Sequence, residues 1–391
     1  MSANVSRINV FVAVLLSAFA ALSFQIQPVL VGAFSVAFEL TDRQAGLLAG
    51  SEAIGSFLVC LSGLLWLRRV NWRLVAAIAL ASMAAGSVLV GLCTNLGQLL
   101  AVRALASVGG GALYLVALTC LCDSPHADRA VGLSVVAQLM LGSAMFLVLP
   151  PVLAEHGLMV MMTVIAATLC AGFILLPWLA PGAPHQGVPL PSDVPRAAVA
   201  WLPLLVVACL LCFQMSLTSI WAYIELMAAA IDIPMVETGR ILALALPLSA
   251  CGSGLAAWLG TRYGRTVPLL VALVGMGMTL TWLAQVSDAR GLFWAFLGQQ
   301  VFWTFGVPYF FGLLGDLDDS GKLIALAPVA QTLGIILGPL IAAAFLTGAG
   351  YLPVIIVAAT TGAVAVLGAV MIMHRVPAAE HVEPVAAMGC E

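Results

Sequence analysis

Ile8 to Phe38 reads INVFVAVLLSAFAALSFQIQPVLVGAFSVAF, a run without a charged side chain. A helix rises about 1.5 Å per residue, so about twenty apolar residues cross a hydrocarbon layer of ~30 Å. This run crosses with residues to spare. A cleaved export signal has an apolar stretch of only ~7–15 residues, so the segment is read as a retained first transmembrane helix. Working outward, apolar runs bounded by charges, Gly/Pro clusters and capping residues predict spans at 8–36, 44–67, 74–94, 97–121, 130–153, 157–180, 198–228, 238–260, 267–286, 291–314, 323–346 and 350–373. Thr41 with Gln44, and Asn95 with Gln98, have capping-box spacing before the second and fourth spans.

Composition agrees. The chain is 63% hydrophobic and 8% charged, against roughly 25% charged for a soluble domain. Fourteen Lys+Arg and seventeen Asp+Glu cannot cover a water-facing surface for 391 residues, so lipid is the expected solvent for most of it. No basic stripe suggests nucleic acid. Cys209 and Cys212 have CxxC spacing but stand in an uncharged helix and are read as small apolar filler. The histidines at 126, 156, 185, 374 and 381 are scattered, so no metal and no cofactor are expected. No catalytic cluster of His, Asp, Ser or Cys is present, which argues against an enzyme.

The organisation is duplicated. Val136-Ala137-Gln138 recurs as Val329-Ala330-Gln331 at an offset of 193, and the same offset pairs Gly46 with Gly239, Gly157 with Gly350, and Arg129 with Lys322. The expected domains are a six-helix bundle over 1–180, a Pro/Gly-rich linker over 181–197, a second bundle over 198–375 and a tail over 376–391. With the N-terminus cytoplasmic, cytoplasmic segments hold Arg7, Arg68, Arg69, Arg73, Arg129, Arg196, Arg262, Arg265, Lys322 and Arg375, while outer loops hold Arg43, Arg240 and Arg290. That bias predicts both termini inside.

At this point the chain resembles the major facilitator superfamily. The second-to-third span loop of that family reads G-x-L-A-D-R-x-G-R-R. Here Gly63, Leu65 and Arg68 match, with Leu67 at the acidic position; the second half keeps Leu259, Arg262, Gly264 and Arg265, with Thr261 there. The fourth span carries Arg103, Ser107 and Gly109 in place of R-x-x-x-G-x-G, and the antiporter G-P of the fifth span is not met. The resemblance implies an all-α fold of twelve helices in two pseudo-symmetric bundles, an alternating-access carrier, and gate-loop roles for Arg68, Arg262 and Arg265.

Ionisable groups inside a span cost a few kcal/mol each and are functional candidates. Glu52 and Arg103 stand eight and six residues into their spans, at depths of about 12 and about 9 Å, so they can share a level. Glu52 is the proton-coupling candidate; Arg103 is its partner or the substrate's. A static ion pair is the competing reading. Arg103, Ser107, Gly110, Gly111 and Tyr114 share a small, polar face expected to line the lumen. Gln138 and Gln331 either bind solute from both halves or join helices. Gln300, Trp303 and Thr304 form a polar-aromatic face at positions equivalent to Ser107, Gly110 and Gly111. Trp221, Tyr223 and Glu225 fall where the seventh span should meet the outer interface and are read as an aromatic belt.

The expected function is secondary active transport of a small organic solute, possibly an organic anion, with proton coupling. The alternatives are a drug or lipophilic-compound efflux antiporter and a non-transporting membrane receptor or sensor. The expected setting is a cell (inner or plasma) membrane, with lipids and solute as partners and a monomeric chain.

Overall fold

The computed structural model describes residues 7–124, 127–182, 201–317, 327–346 and 350–375. The linker beyond Gly182, the end of the 315–322 loop, Lys322 and the tail after Arg375 lie outside them. Thirteen helices are present among the described residues: α1 Arg7–Gln25, α2 Gln27–Ala37, α3 Asp42–Trp66, α4 Trp72–Leu89, α5 Leu96–Cys122, α6 Ala127–His156, α7 Leu158–Ala171, α8 Trp201–Ala229, α9 Met235–Leu259, α10 Thr266–Leu283, α11 Ala289–Leu317, α12 Ala327–Phe345 and α13 Leu352–Arg375. Helices α1 and α2 share the first span, which gives the twelve expected crossings.

Among the described residues, eleven spans are long and apolar enough to cross a membrane. The tenth, α11, has 29 residues but carries Gln299, Gln300, Trp303 and Thr304, which lower its apolarity. The sixth span finishes as a 3-10 helix over Gly172–Trp178, which holds Pro177. Pro150 and Pro151 leave α6 unbroken.

The first span breaks for a chemical reason. Pro28 stands in the first turn of α2 and has no N–H to give the Phe24 carbonyl. The helix restarts at Gln27, and that carbonyl is left for another donor. Thr41 and Gln44 form the predicted capping box. At α5 only half of the prediction holds: Asn95 accepts from the Gln98 amide at 3.0 Å, but the Gln98 side chain accepts from the Thr94 N–H at 2.8 Å.

The repeat is real in three dimensions. Gly157 and Gly350 both take positive φ, 80° and 96°, ahead of the sixth and twelfth spans, a conformation glycine adopts without cost. The two halves meet through α3 on α12, α6 on α9 and α2 on α8. Their apolar core is continuous where α2, α3, α8 and α9 join, at the end away from the chain termini, here the distal end. A second apolar cluster, including Phe213, Phe310 and Leu314, belongs to the second half alone.

Candidate functional site

Helix α3 brings Glu52 and α5 brings Arg103 to one level, as the sequence predicts. Arg103 Nε donates to Glu52 Oε1 at 2.7 Å, and the two residues are 3% and 7% exposed. Gln27 of α2 adds to the pair: its Nε2 donates to the Ala49 carbonyl at 3.0 Å and lies 3.4 Å from Glu52 Oε2. The Phe34 ring lies 5.8 Å from the guanidinium carbon, within cation–π range. A small cavity of about 80 Å³ opens beside the pair, lined by Ser23, Phe24, Gln27, Glu52, Ser56, Ser107 and Gly110 of the first half and Ile335 of the second. A larger groove of about 340 Å³ lies between α8, α10 and α13, but its lining is apolar. Its one hydroxyl, Ser216, already donates to the Ala358 carbonyl at 2.7 Å.

The small face of α5 does less lining than its polarity suggests. A Cβ at Gly55 would strike the Ala104 carbonyl and the Ser107 hydroxyl, and one at Gly111 would strike Ser56. Ser56 Oγ donates to the Ser107 carbonyl at 2.7 Å. These residues form a close helix seam, the usual role of small side chains between membrane helices. Only Ser107 and Gly110 of that face also reach the cavity. Tyr114 is half-buried and does not line the cavity.

The second half repeats the seam. Gly252 of α9 packs on the Val301 carbonyl and Thr304 hydroxyl of α11, and Ser253 Oγ donates to the Thr304 carbonyl at 3.1 Å. The equivalence runs Gly55 to Gly252, Ser56 to Ser253 and Ser107 to Thr304. These contacts recur one helical turn beyond the offset of 193, while the contacts of Gly111 on Ser56 and Thr304 on Ser249 keep that offset. In the register of these contacts the places of Glu52 and Arg103 are held by Ser249 and Gln300. Thr304 also donates to the Ser249 carbonyl at 2.6 Å. Trp303 turns to α8, where its indole N–H donates to Gln214 Oε1 at 3.2 Å. Gln299 is 1% exposed, and neither amide atom has a hydrogen-bond partner among the described residues. Sequence reading passed over Gln214 and Gln299 because a neutral amide inside an apolar run gives no charge signal.

The seventh span overturns the belt reading. Helix α8 continues to Ala229, and Trp221, Tyr223 and Glu225 are 2%, 0% and 2% exposed. They face the other half. Trp221 Nε1 donates to the Phe24 carbonyl at 2.9 Å, the acceptor that Pro28 leaves free. Its ring stacks on Phe296 and meets Phe24 and Phe146, so four aromatic residues from both halves close over the centre. Tyr223 Oη donates to the Asp42 carbonyl at 3.1 Å, and Tyr351 Oη donates to the Asp42 carboxylate at 2.8 Å. The matched glycines mark equivalent crossings. Gly46 packs on the Pro339 carbonyl and Ala343 of α12, and Gly239 packs on the Phe146 carbonyl and Pro150 of α6. The distal end is closed.

Gln138 and Gln331 are both half-buried and neither lines the small cavity. Gln138 Nε2 has no hydrogen-bond partner among the described residues. Arg68 pairs with Asp123 at 3.3 Å, at the end of α5, so this arginine has an acidic partner although Leu67 replaces the motif acid. Arg262 lies 5.4 Å from the Trp258 ring. Arg265 reaches Gly312 of α11. Among the described residues no cluster fit to hold a metal ion occurs.

The sequence profile of the Major Facilitator Superfamily matches residues 13–317. The chain belongs to that superfamily. As a major facilitator protein it is a membrane transporter of a small solute, not an enzyme. No curated protein sequence matches it. The fold is similar to that of the xylose transporter XylE from E. coli in its inward-open conformation, with a TM-score of 0.72, 15% identity, and 94% of this chain and 95% of that one covered.

Proposed function

We propose that this major facilitator protein is a proton-coupled secondary carrier for a small organic anion, working by alternating access between its halves. The observation that carries the reading is the comparison of the two helix seams. Ser56–Ser107 and Ser253–Thr304 join their helices in the same way, yet only the first half buries a charge pair beside its seam. Packing therefore does not require Glu52 and Arg103, which supports a role in binding over a static one.

The chemistry follows from charge balance. Arg103 stays protonated in any protein setting. A proton on Glu52 neutralises the carboxylate and releases the guanidinium, which a substrate carboxylate then binds through two N–H groups. Glu52 as anion with Arg103, and Glu52 as acid with Arg103 and a bound anion, carry the same net charge. Neither form places a net charge in the low-dielectric centre. One solute anion and one proton cross together.

The Lys/Arg bias supports a cytoplasmic location for both termini in a cell (inner or plasma) membrane, so the closed distal end faces outward. Reporter fusions at residues 190 and 319 should read as inside. Uptake into proteoliposomes tests the function: small carboxylates should accumulate under an inward proton gradient, and neutral sugars such as xylose should not. The aromatic cluster of Phe24, Phe146, Trp221 and Phe296 supports a second reading, efflux of lipophilic compounds. Extrusion of bulky lipophilic cations, with no carboxylate uptake, would establish that reading in place of the first.

A further inference from the structure

Glu225 is the one buried carboxyl among the described residues that the binding scheme leaves unused. It lies on α8 where the halves touch. A Cβ at Gly32 of α2 would meet Glu225 Cγ and Met235 Cε, so α2 approaches this acid as closely as a bare backbone allows. The residue is 2% exposed, and its Oε2 has no hydrogen-bond partner among the described residues. The Thr238 side chain is within hydrogen-bonding reach of the carboxyl and also donates to the Pro234 carbonyl at 3.3 Å; a hydroxyl supplies no countercharge.

Among the described residues the surroundings offer no cation: α12 contains no charged residue, and α13 carries His374 and Arg375 only at its far end. Helix α2 presents Gly32 and contains no charged residue. Helix α9 presents Met235 and Thr238, while its Glu237 and Arg240 are exposed on other faces. From α3 the nearest ionisable groups are Asp42, whose carboxylate is held by Tyr351, and Arg43, which is exposed. Tyr223, on the same helix as Glu225, is occupied with the Asp42 carbonyl.

We propose that Glu225 is a gate proton site: the distal end closes with this carboxyl protonated and opens with it ionised. The proposal rests on the carrier reading above and assigns proton linkage to the gate, separate from the exchange at Glu52. Burying an ionised carboxylate without a partner is costly, whereas the neutral acid is far cheaper to bury. Opening withdraws α2 and Gly32 from α8 and lets water reach the carboxyl. The anion then favours the open form, and proton binding from the outer side favours closure. A group that binds protons differently in two conformations necessarily links pH to their populations. The gate then shuts on a loaded proton before the inner side opens.

The test is a spin-label distance measurement across the distal end of full-length protein in nanodiscs, between the 38–41 and 230–234 segments, with pH varied and no solute present. The unsubstituted chain should move from closed to open as pH rises. Glu225→Gln should stay closed at every pH, and Glu52→Gln should keep the pH response. Gly32→Ala, which pushes α2 off the acid, should open the gate at every pH. A normal pH response in Glu225→Gln, or a closed and pH-responsive gate in Gly32→Ala, would overturn the proposal. Uptake under a proton gradient is measured separately: uptake with a gate that ignores pH overturns this proposal alone, whereas a pH-responsive gate without uptake overturns the carrier reading alone.

Discussion

Tyr351 donates its phenolic hydrogen to the Asp42 carboxylate at 2.8 Å, tying the start of the last span to the start of the second. The bond joins the two halves and so exists only while the distal end is shut. Hydrogen bonds to charged groups contribute about 1.5–3 kcal/mol, and about 1.4 kcal/mol is tenfold in an equilibrium. Tyr351→Phe should therefore raise the distal-open population roughly tenfold, with Asp42→Asn close behind. The spin-label distance across the distal end, between labels in the 38–41 and 230–234 segments, reads this directly.

Pro28 and Trp221 act on one carbonyl. Pro28→Ala supplies a backbone N–H that competes for Phe24 O, and Trp221→Phe removes the present donor. Each should weaken distal closure, and the two together should weaken it by less than the sum. A double-mutant cycle on the same spin-label measurement should give a coupling of about 1 kcal/mol. Strict additivity would mean that the proline break and the indole bond are unrelated.

Gly46 and Gly239 stand at crossings between halves. A methyl group at either position meets the facing helix, α12 or α6. Gly46→Ala and Gly239→Ala should thus favour the distal-open form to a similar degree. Thermal stability should change little, because the contacts lie between the bundles. Their matched behaviour would be the functional counterpart of their matched place in the repeat.

Spans, duplication and the charge pair were legible because each rests on a strong local signal. A charge inside an apolar run is costly enough to stand out, and Glu52 and Arg103 did. Trp221, Tyr223 and Glu225 were misplaced because the interface was located by counting the thickness of a bilayer. The expected span 198–228 matches α8, Trp201–Ala229, in length, but its last turns pack between the two halves in the closed gate instead of facing the interface. The seam was not legible in the repeat, because helix bounds follow the offset of 193 while the closest α9–α11 contacts repeat those of α3–α5 one turn later. Asp42 and Tyr351 were invisible as a pair: 309 residues separate them, and neither interrupts an apolar run.

The second half supplies the control for the charge pair. Removing Arg103 alone strands a buried carboxylate, which typically costs 3–5 kcal/mol, about the same as many whole-protein margins. Arg103→Ala is then expected to lower both stability and transport, and by itself cannot separate the two roles. The double substitution Glu52→Ser with Arg103→Gln copies what α9 and α11 already pack, Ser249 and Gln300. It strands no charge and leaves the Ser56–Ser107 bond in place. That protein should fold with a melting temperature within about 2 °C of the parent, since ~1–2 kcal/mol corresponds to a shift of roughly 1–2.5 °C in a chain of this size. It should neither bind nor accumulate the anion. Arg103→Lys in the native background should bind weakly, because an ammonium cannot replace the planar two-point grip of guanidinium. Folding and transport both intact in the Ser/Gln double variant would show the pair to be structural furniture and move the binding site elsewhere, with the unpaired Gln299 amide the next place to look.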